Sequence, residues 1–419
     1  MPPSDLPVSK NPDVRPPNEP PGRLFLRFLR FGCLAWGGPV AQIDMIRHEL
    51  VEEERWVSRE HFRRLLAIYQ ALPGPEAHEL CVHFGMIARG RLGGVLAGLG
   101  FMLPGFILMF LLSWLYLRLN LVATEFQAVF LGIQPAVIAL IIRACHRIGQ
   151  HCLIDAPLWG IAGLAAVGEL VRVPFWITLP LAGAAYVVAA RRQWLLVGGC
   201  LLLFAAGVWV SSPVVQGQAP LFRASSEHAV IAGGEVAPRE PGNVAPAPLF
   251  ASGLRAGLLT FGGAYTAIPF LERDAVEKGA WMTRRDFLDG VALSGILPAP
   301  LIIFSTFVGF FGGGPWGALA MTAGVFLPAF LFTLIFFHRL ESVIANVTLR
   351  HFLEGITAGV VGLIAVTTLV LAQTAIPGWR AAAIAAVALV IVYRWKSKAV
   401  IPLVMLAAGI AGWVVFSEK

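Results

Sequence analysis

Long apolar segments recur along almost the whole chain and are separated by short polar or basic loops. Seven such segments lie between residues 24 and 211, and six lie between residues 249 and 416. Most are about 18 residues or longer, which is the length that a helix needs to cross a bilayer. Every backbone polar group needs an internal partner in an apolar medium, so these segments are predicted to be helices. The pattern indicates an all-α, polytopic membrane protein.

The composition excludes soluble folds. Hydrophobic residues make up 57% of the 419 residues, charged residues only 14%, and the mean hydropathy is +0.73. A soluble domain carries about 25% charged residues. The net charge of +7 comes from basic residues that cluster in short loops, as membrane topology requires. The expected partner is therefore a lipid bilayer and not a nucleic acid, and the five cysteines show no disulfide framework.

Two regions depart from the apolar pattern. Residues 1–22 contain eight prolines and no apolar run, which predicts a disordered tail and not a signal peptide. Residues 213–248 are rich in Pro, Gly and Ala, which predicts a linker. The expected domains are thus two helical halves, 23–212 and 249–419.

The two halves are related by an internal repeat. Residues 24–75 recur without a gap at 249–300, with 18 identities in 52 positions. Both copies are followed by an apolar run with a Leu-Pro pair, Leu103-Pro104 and Leu327-Pro328. A two-fold repeat with Gly and Pro inside apolar segments is typical of secondary transporters, whose site lies between the halves.

Each copy carries two helix-breaking motifs at matching positions. Gly37-Gly38-Pro39 and Gly262-Gly263 interrupt the first segment, and Pro73-Gly74-Pro75 and Pro298-Ala299-Pro300 interrupt the second. One such motif alone would favour a simple kink, but its recurrence in both copies favours a complete break. A helix that restarts after the second motif has unpaired N–H groups and a positive dipole end, which bind oxyanions.

The number of membrane crossings predicts how the halves are oriented. Five apolar spans follow residue 91 in the first half, and the broken segments change the count by two or by none. The first half therefore crosses an odd number of times, and the second half is expected to be inverted. Arg143/Arg147 and Arg191-Arg192 then face the cytoplasm, whereas Arg284-Arg285 lies outside, against the positive-inside rule.

Arg30 and Arg255 occupy equivalent positions in the repeat. They either extend to the lipid headgroups or face an anion from two symmetry-related sides. A cation about 4 Å from a dianion contributes on the order of 8 kcal/mol at an effective dielectric of 20, before desolvation. The candidate substrate-binding residues are these two arginines and residues at or beside the breaks: Gly37, Gly38, Pro39, Gln42, Gln70, Pro73, Gly74, Pro75, Glu79, Gly262, Gly263, Thr266, Ser294, Pro298 and Pro300.

His78, Glu79 and His83 form a tempting cluster. Zinc metalloprotease histidines are four residues apart, whereas these two are five apart, about 140° round a helix. No metal, no cofactor and no enzymatic activity are therefore expected. An acid just beyond a helix break can instead carry coupled protons, although the aligned position in the second copy is Phe304.

These motifs resemble the chromate ion transporter family in its long, two-domain form. The resemblance spans about residues 24–417 and depends on residues 31–42, 71–80, 258–271, 297–310 and 352–355 and on the glycine-rich span through Leu103-Pro104. Ala299 departs from the pattern, because the first copy has glycine there. The resemblance implies chromate transport across the inner membrane, usually export that confers resistance, with sulfate as the related oxyanion.

Two alternatives remain open from the sequence. One is an importer or exchanger of sulfate or another oxyanion, since sulfate and chromate are tetrahedral dianions of similar size. The other is a membrane-embedded hydrolase that uses His78, Glu79 and His83. The number of crossings, the coupling ion and the oligomeric state are also open, a homodimer being one arrangement to test.

Overall fold

The computed structural model describes residues 19–119, 126–211, 242–339, 346–395, 397 and 399–417, and all regular structure in these ranges is helical. The all-α prediction is confirmed. Most of the predicted tail and linker lies outside the described residues. Helix starts nonetheless fall inside both predicted segments, at Pro21 and Pro246. Each proline occupies the first helical position, where its missing N–H would have no partner anyway.

In the described part of the first half the helices are α1 (Pro21–Cys33), α2 (Gly38–Ile46), α3 (Arg59–Ala71), α4 (Glu76–Arg118), α5 (Phe126–Cys152), α6 (Ala156–Leu170), α7 (Phe175–Ala190) and α8 (Trp194–Ser211). In the second half they are α9 (Pro246–Leu258), α10 (Ile268–Glu272), α11 (Arg284–Ile296), α12 (Phe304–Phe336), α13 (Val347–Ala375), α14 (Trp379–Arg394) and α15 (Val400–Phe416). A short π-helical turn, Arg47–Glu53, follows α2, and a second one, Arg273–Lys278, follows α10.

All four repeat motifs lie at breaks between helices, the first of them overlapping the start of α2 at Gly38. α1 ends before Gly37-Gly38 and α9 ends before Gly262-Gly263. The φ angles are 87° and 79° at the first pair and 73° and 123° at the second, in the left-handed region that glycine adopts without strain. α3 and α11 end before the two Pro-x-Pro motifs. The chain therefore leaves helical backbone groups unpaired at four places inside an apolar fold.

α4 and α12 are each folded back on themselves. Arg89 and Gly90 have φ, ψ of −148°, 26° and 58°, −149°, and Gly313 and Gly314 repeat these values within a few degrees. Residues eight apart on a straight helix are about 12 Å apart. A Cβ added at Gly85 would nevertheless overlap the carbonyl oxygen eight residues later. Each helix is thus a tight hairpin, and its second arm (residues 91–118 in α4) runs antiparallel to its first.

The segments before these folds are hairpins as well. The Arg27 guanidinium of α1 lies 3.3 Å from the Glu49 carboxylate and 5.5 Å from the Trp56 ring centre, although residues 22 apart on one helix would be about 33 Å apart. The Tyr69 hydroxyl of α3 is hydrogen-bonded to His83 Nδ1 of α4 at 2.8 Å. The Gly-Gly and Pro-Gly-Pro motifs therefore form the tips of two hairpins.

The halves interlock through their long helices. Gly132 of α5 packs so closely on α15 that an added Cβ would lie 2.5 Å from Gly412 Cα. Gly355 of α13 packs on α7 in the same way, with 2.5 Å to the Ala182 carbonyl oxygen. Each half therefore places one helix among the helices of the other.

The outer surface is apolar. Among the described residues, four helical stretches are long and apolar enough to cross a membrane (76–118, 126–152, 301–336 and 347–375), and shorter apolar helices accompany them. Leu195, Trp209 and Trp316 are each more than 70% exposed, as a lipid environment allows. The protein is a multi-pass membrane protein.

The close contact between α5 and α15 gives a first prediction. Gly132→Leu should destabilise the fold, because overpacking costs roughly 1–3 kcal/mol or more. The control is Gly160→Leu on α6, where an added Cβ meets nothing within 4 Å. The thermal midpoint in detergent should fall for the first variant only. An unchanged midpoint for Gly132→Leu would contradict the packing described above.

Candidate functional site

The four breaks meet in two pairs. In each pair the Pro-x-Pro motif of one half contacts a residue beside the Gly-Gly motif of the other half, and we call these two contacts the crossings. The Gly74 N–H of the first Pro-x-Pro motif donates a hydrogen bond to the Thr260 carbonyl, beside the second Gly-Gly motif, at 2.7 Å. Gln42, beside the first Gly-Gly motif, donates from Nε2 to the Ala299 carbonyl of the second Pro-x-Pro motif at 3.1 Å and to Ala35 at 2.9 Å. Each half thus supplies a partner for backbone that the other half leaves unpaired.

The neighbouring contacts are reciprocal. A Cβ added at Gly74 would lie 3.3 Å from Ala329 Cβ, and one added at Gly105 would overlap Ala299 Cβ. Gly74 and Ala299 are equivalent in the repeat, and Gly105 and Ala329 each follow a Leu-Pro pair. Reciprocal contacts of this kind are what a two-fold axis produces. A pseudo-two-fold axis therefore passes between the breaks.

The two crossings differ at Ala299. Its N–H donates to the carbonyl of Leu297, the residue just before its own motif, at 2.9 Å, whereas the Gly74 N–H reaches the other half directly. The Gln42 side chain makes the second crossing instead. The Ala299 departure from the family pattern is therefore accompanied by a different hydrogen bond, and the two backbone approaches are not equivalent.

The predicted polar residues beside the breaks have different surroundings. Gln42, Thr266 and Ser294 are buried, whereas Gln70 is exposed. The Thr266 hydroxyl donates to Gly263 and the Ser294 hydroxyl to Val291, both at 2.7 Å. These two hydroxyls thus satisfy their own segments, and Gln42 is the one that joins the halves.

Arg30 and Arg255 are not unpaired cations. Arg30 Nη1 lies 3.2 Å from Glu49, and Arg255 Nη2 lies 2.7 Å from Asp274. Glu49 and Asp274 are themselves equivalent in the repeat, and the arginine side chains are 63% and 48% exposed. A carboxylate therefore already compensates each charge, and the expectation that the two arginines face an anion stays a prediction. Both pairs join the first helix of a repeat to its π turn.

Two other arginines lie near the crossing between Gly74 and Thr260. Arg143 and Arg147 of α5 are partly exposed, and neither guanidinium has a hydrogen bond or ion pair with any residue that the structure describes. The charge of Arg147 acts on the Glu76 carboxyl, and both charges act on the Tyr265 hydroxyl. From the sequence these arginines indicated only which loops face the cytoplasm, because no sequence motif shows that α5 lies close to the helix breaks.

Glu79 lies in the first turn of α4. Its side chain is 0% exposed, and both carboxyl oxygens are without a hydrogen-bond partner among the described residues. Its Oε1 atom is only 2.8 Å from the position that a Cβ on Gly74 would take. The carboxyl therefore fills the space that the glycine leaves open in the Pro-Gly-Pro motif.

The two histidines beside Glu79 have separate surroundings. His83 is hydrogen-bonded to Tyr69, and the His78 ring packs 5.0 Å from Phe326 and 4.7 Å from Phe330. His78 thus lies among aromatic rings, apart from the His83 hydrogen bond. The described residues contain no group of three or more His, Cys, Asp or Glu arranged to hold a metal.

A buried carboxylate that the sequence analysis missed joins the halves near one face. Asp289 of α11 accepts a hydrogen bond from the Tyr116 hydroxyl and another from Gln134 Nε2, both at 2.7 Å. Tyr116 lies near the end of α4 and Gln134 lies in α5. The sequence feature that could have indicated this site is an acid within an apolar segment. Its partners could not be found from the sequence, because they are more than 150 residues away in the chain.

Comparison with known proteins identifies the family. The chromate transporter family model matches residues 22–209 and 247–413. A chromate transport protein of Pseudomonas aeruginosa is 56% identical over 97% of this chain and 95% of its own length. One of Cupriavidus metallidurans is 29% identical over 94% of this chain and 93% of its own length. No solved structure matches the chain significantly. The chain belongs to the chromate transporter family.

Proposed function

We propose that this protein exports chromate from the cytoplasm across the inner membrane and thereby confers chromate resistance. The observation that carries the proposal is the contact of Gly74 with Thr260, near which α5 places Arg143 and Arg147, two arginines without a hydrogen bond or ion pair to any described residue. The similarity to chromate transport proteins supplies the substrate. Nothing in the described site favours sulfate over chromate or a hydrolase over a carrier.

We also propose that the two halves are inverted in the membrane. The second arm of α4 begins at the fold near Gly90, at the open end of the first-half hairpins. At its other end the Tyr116 hydroxyl donates to Asp289 in the middle of α11 and lies 3.3 Å from Asp286 in its first turn, toward the open end of the second-half hairpins. The arm spans residues 91–118, about 40 Å at 1.5 Å per residue. Opposite positions of the open ends support opposite orientations of the halves.

The distribution of charge assigns the faces. Basic residues concentrate at the open end of the first half, which we place in the cytoplasm. Arg284, which the positive-inside rule disfavours on the outer face, lies 2.8 Å from Glu272 and 3.3 Å from Glu277. These carboxylates compensate the charge of Arg284, which weakens the objection to the inverted arrangement.

In this proposal a dianion binds where α4 restarts. The free N–H groups and the positive dipole end at Glu76 meet its oxygens. The backbone at Gly262-Gly263 lets it approach closely, since a Cβ on Gly263 would meet nothing within 4 Å. Arg143 and Arg147 supply the balancing charge from the cytoplasmic side. Each guanidinium at about 4 Å contributes on the order of 8 kcal/mol before desolvation.

The membrane potential favours export of such an anion. Moving two negative charges outward gains about 4.6 kcal/mol per 100 mV across an inside-negative membrane. At about 150 mV this is roughly 7 kcal/mol, close to a 10⁵-fold gradient. Outward transport of the dianion therefore needs no coupling ion, whereas import would need at least two or three cations.

The first test concerns Arg143 and Arg147. In inverted membrane vesicles, Arg147→Gln and Arg143→Gln should each weaken chromate uptake, with apparent affinity at least about tenfold lower (roughly 1.4 kcal/mol). Arg191→Gln is the matched control, because Arg191 binds Thr348 at 2.7 Å on the same face. Excess sulfate is added as competitor. Wild-type affinity in the double Arg143/Arg147 variant would refute this charge assignment.

The second test separates ion pairing from substrate binding at Arg255. Arg255→Gln should lower thermal stability by about 1–3 kcal/mol, because Asp274 loses a charged hydrogen bond. Arg255→Gln combined with Asp274→Asn should recover stability and chromate transport, since no buried charge is left unpaired. A stable double variant that cannot transport chromate would instead indicate that Arg255 binds the substrate.

A further inference from the structure

The Glu79 carboxyl lies in the proposed substrate site and not beside it. Its Oε1 atom faces Gly74, whose N–H forms the bond to the other half. An alanine at position 74 would bring a Cβ to 2.8 Å from that oxygen, and the φ of 152° there already disfavours any side chain. The Pro-Gly-Pro motif is therefore shaped around this carboxyl group.

The surroundings of Glu79 contain few groups that can compensate a charge. On its own helix it has Glu76, whose negative charge opposes its own, and His78, which packs among phenylalanines. α3 presents Tyr69, whose hydroxyl is bonded to His83. α12 presents Ala329 against Gly74.

α9 and the segment after it present the Thr260 carbonyl, which is already bonded to Gly74. α5 supplies Arg147, whose charge acts on Glu76. The Glu79 oxygens themselves have no partner among the described residues.

An ionised Glu79 would work against the bound anion. The repulsion between a dianion and a carboxylate equals the attraction between the dianion and one guanidinium at the same distance. Ionised Glu79 would thus cancel one of the two arginines that we assign to the site. A protonated Glu79 removes this repulsion and can also donate a hydrogen bond to an oxyanion.

The second repeat shows whether an acid at the position of Glu79 is needed to form the helix break. Its Pro-x-Pro motif breaks the chain at the same place, yet the position aligned with Glu79 is Phe304, which packs 5.6 Å from Phe287. The same break therefore forms without an acid. The carboxyl in the first repeat is not needed to build the motif, which points to a role in transport.

We propose that Glu79 is a proton-binding site within the substrate site, and that the dianion binds only when a cytoplasmic proton occupies it. This rests on the proposed chromate transport. When no anion is bound, an ionised carboxyl in the first turn balances the positive dipole end of α4 electrostatically, and protonation removes that negative charge before the substrate binds. If the proton leaves with the anion, each turnover moves one net negative charge outward and not two.

The test measures proton uptake on chromate binding. Purified protein in weakly buffered detergent solution, at a pH where dissolved chromate is the dianion, is mixed with chromate and a pH-indicating dye. The pH is raised stepwise; above the pH at which Glu79 ionises in the free protein, wild type should take up about one proton per chromate bound, and its affinity should fall about tenfold per pH unit. Glu79→Gln, which stays neutral, should bind chromate with no such proton uptake and with a nearly flat pH profile.

Glu60→Gln is the matched control, because Glu60 is exposed on α3 and paired with Arg64; it should behave like wild type. Wild-type binding that shows neither proton uptake nor a fall in affinity up to the highest pH at which the protein stays folded overturns the inference even if Glu79→Gln does not fold, and so does an unchanged pH profile in Glu79→Gln. Absence of chromate binding by wild type at every pH overturns the proposed function itself. The two failures are therefore distinguishable.

Discussion

The structure depends on one constraint, which is that backbone broken inside an apolar fold must still find hydrogen-bond partners. An unpaired backbone group in a bilayer costs several kcal/mol, and this chain breaks four helices. The chain avoids this cost because the breaks of one half bond to the breaks of the other: Gly74 donates to the Thr260 carbonyl, and Gln42 donates to the Ala299 carbonyl. Neither half satisfies these groups alone. The site is therefore created by the association of the halves.

Glycine contacts hold the crossing in place. Lipid tails are as apolar as side chains, so helices associate in a membrane mainly through close packing. Gly85 packs on its own hairpin, and Gly132 and Gly355 bring each half into the other. These contacts leave no room for a side chain. The breaks are thus fixed in position by close backbone packing on both sides of the pseudo-two-fold axis.

Charge is distributed in two ways that serve different purposes. Arg30, Arg255 and Arg284 are each compensated by carboxylates and connect structural elements. Arg143 and Arg147 have no carboxylate partner among the described residues; the charge of Arg147 acts on Glu76, three residues before Glu79, whose carboxyl also has no hydrogen-bond partner there. A carrier must release its substrate as well as bind it. A site in which fixed positive charge is opposed by a carboxyl that gains and loses a proton can do both.

The sequence by itself determined the helical class, the two-fold repeat and the places where the helices break, because hydrophobic period, Gly-Gly and Pro-x-Pro act locally. It also led to the family through those motifs. Only the tertiary structure decided which break meets which and that α4 and α12 fold back. It also decided that Arg30 and Arg255 are paired, whereas Arg143 and Arg147 have no partner in the part of the chain that the structure describes. These facts depend on contacts between residues far apart in the chain. A charged residue has the same local signature whether or not the fold brings it a partner.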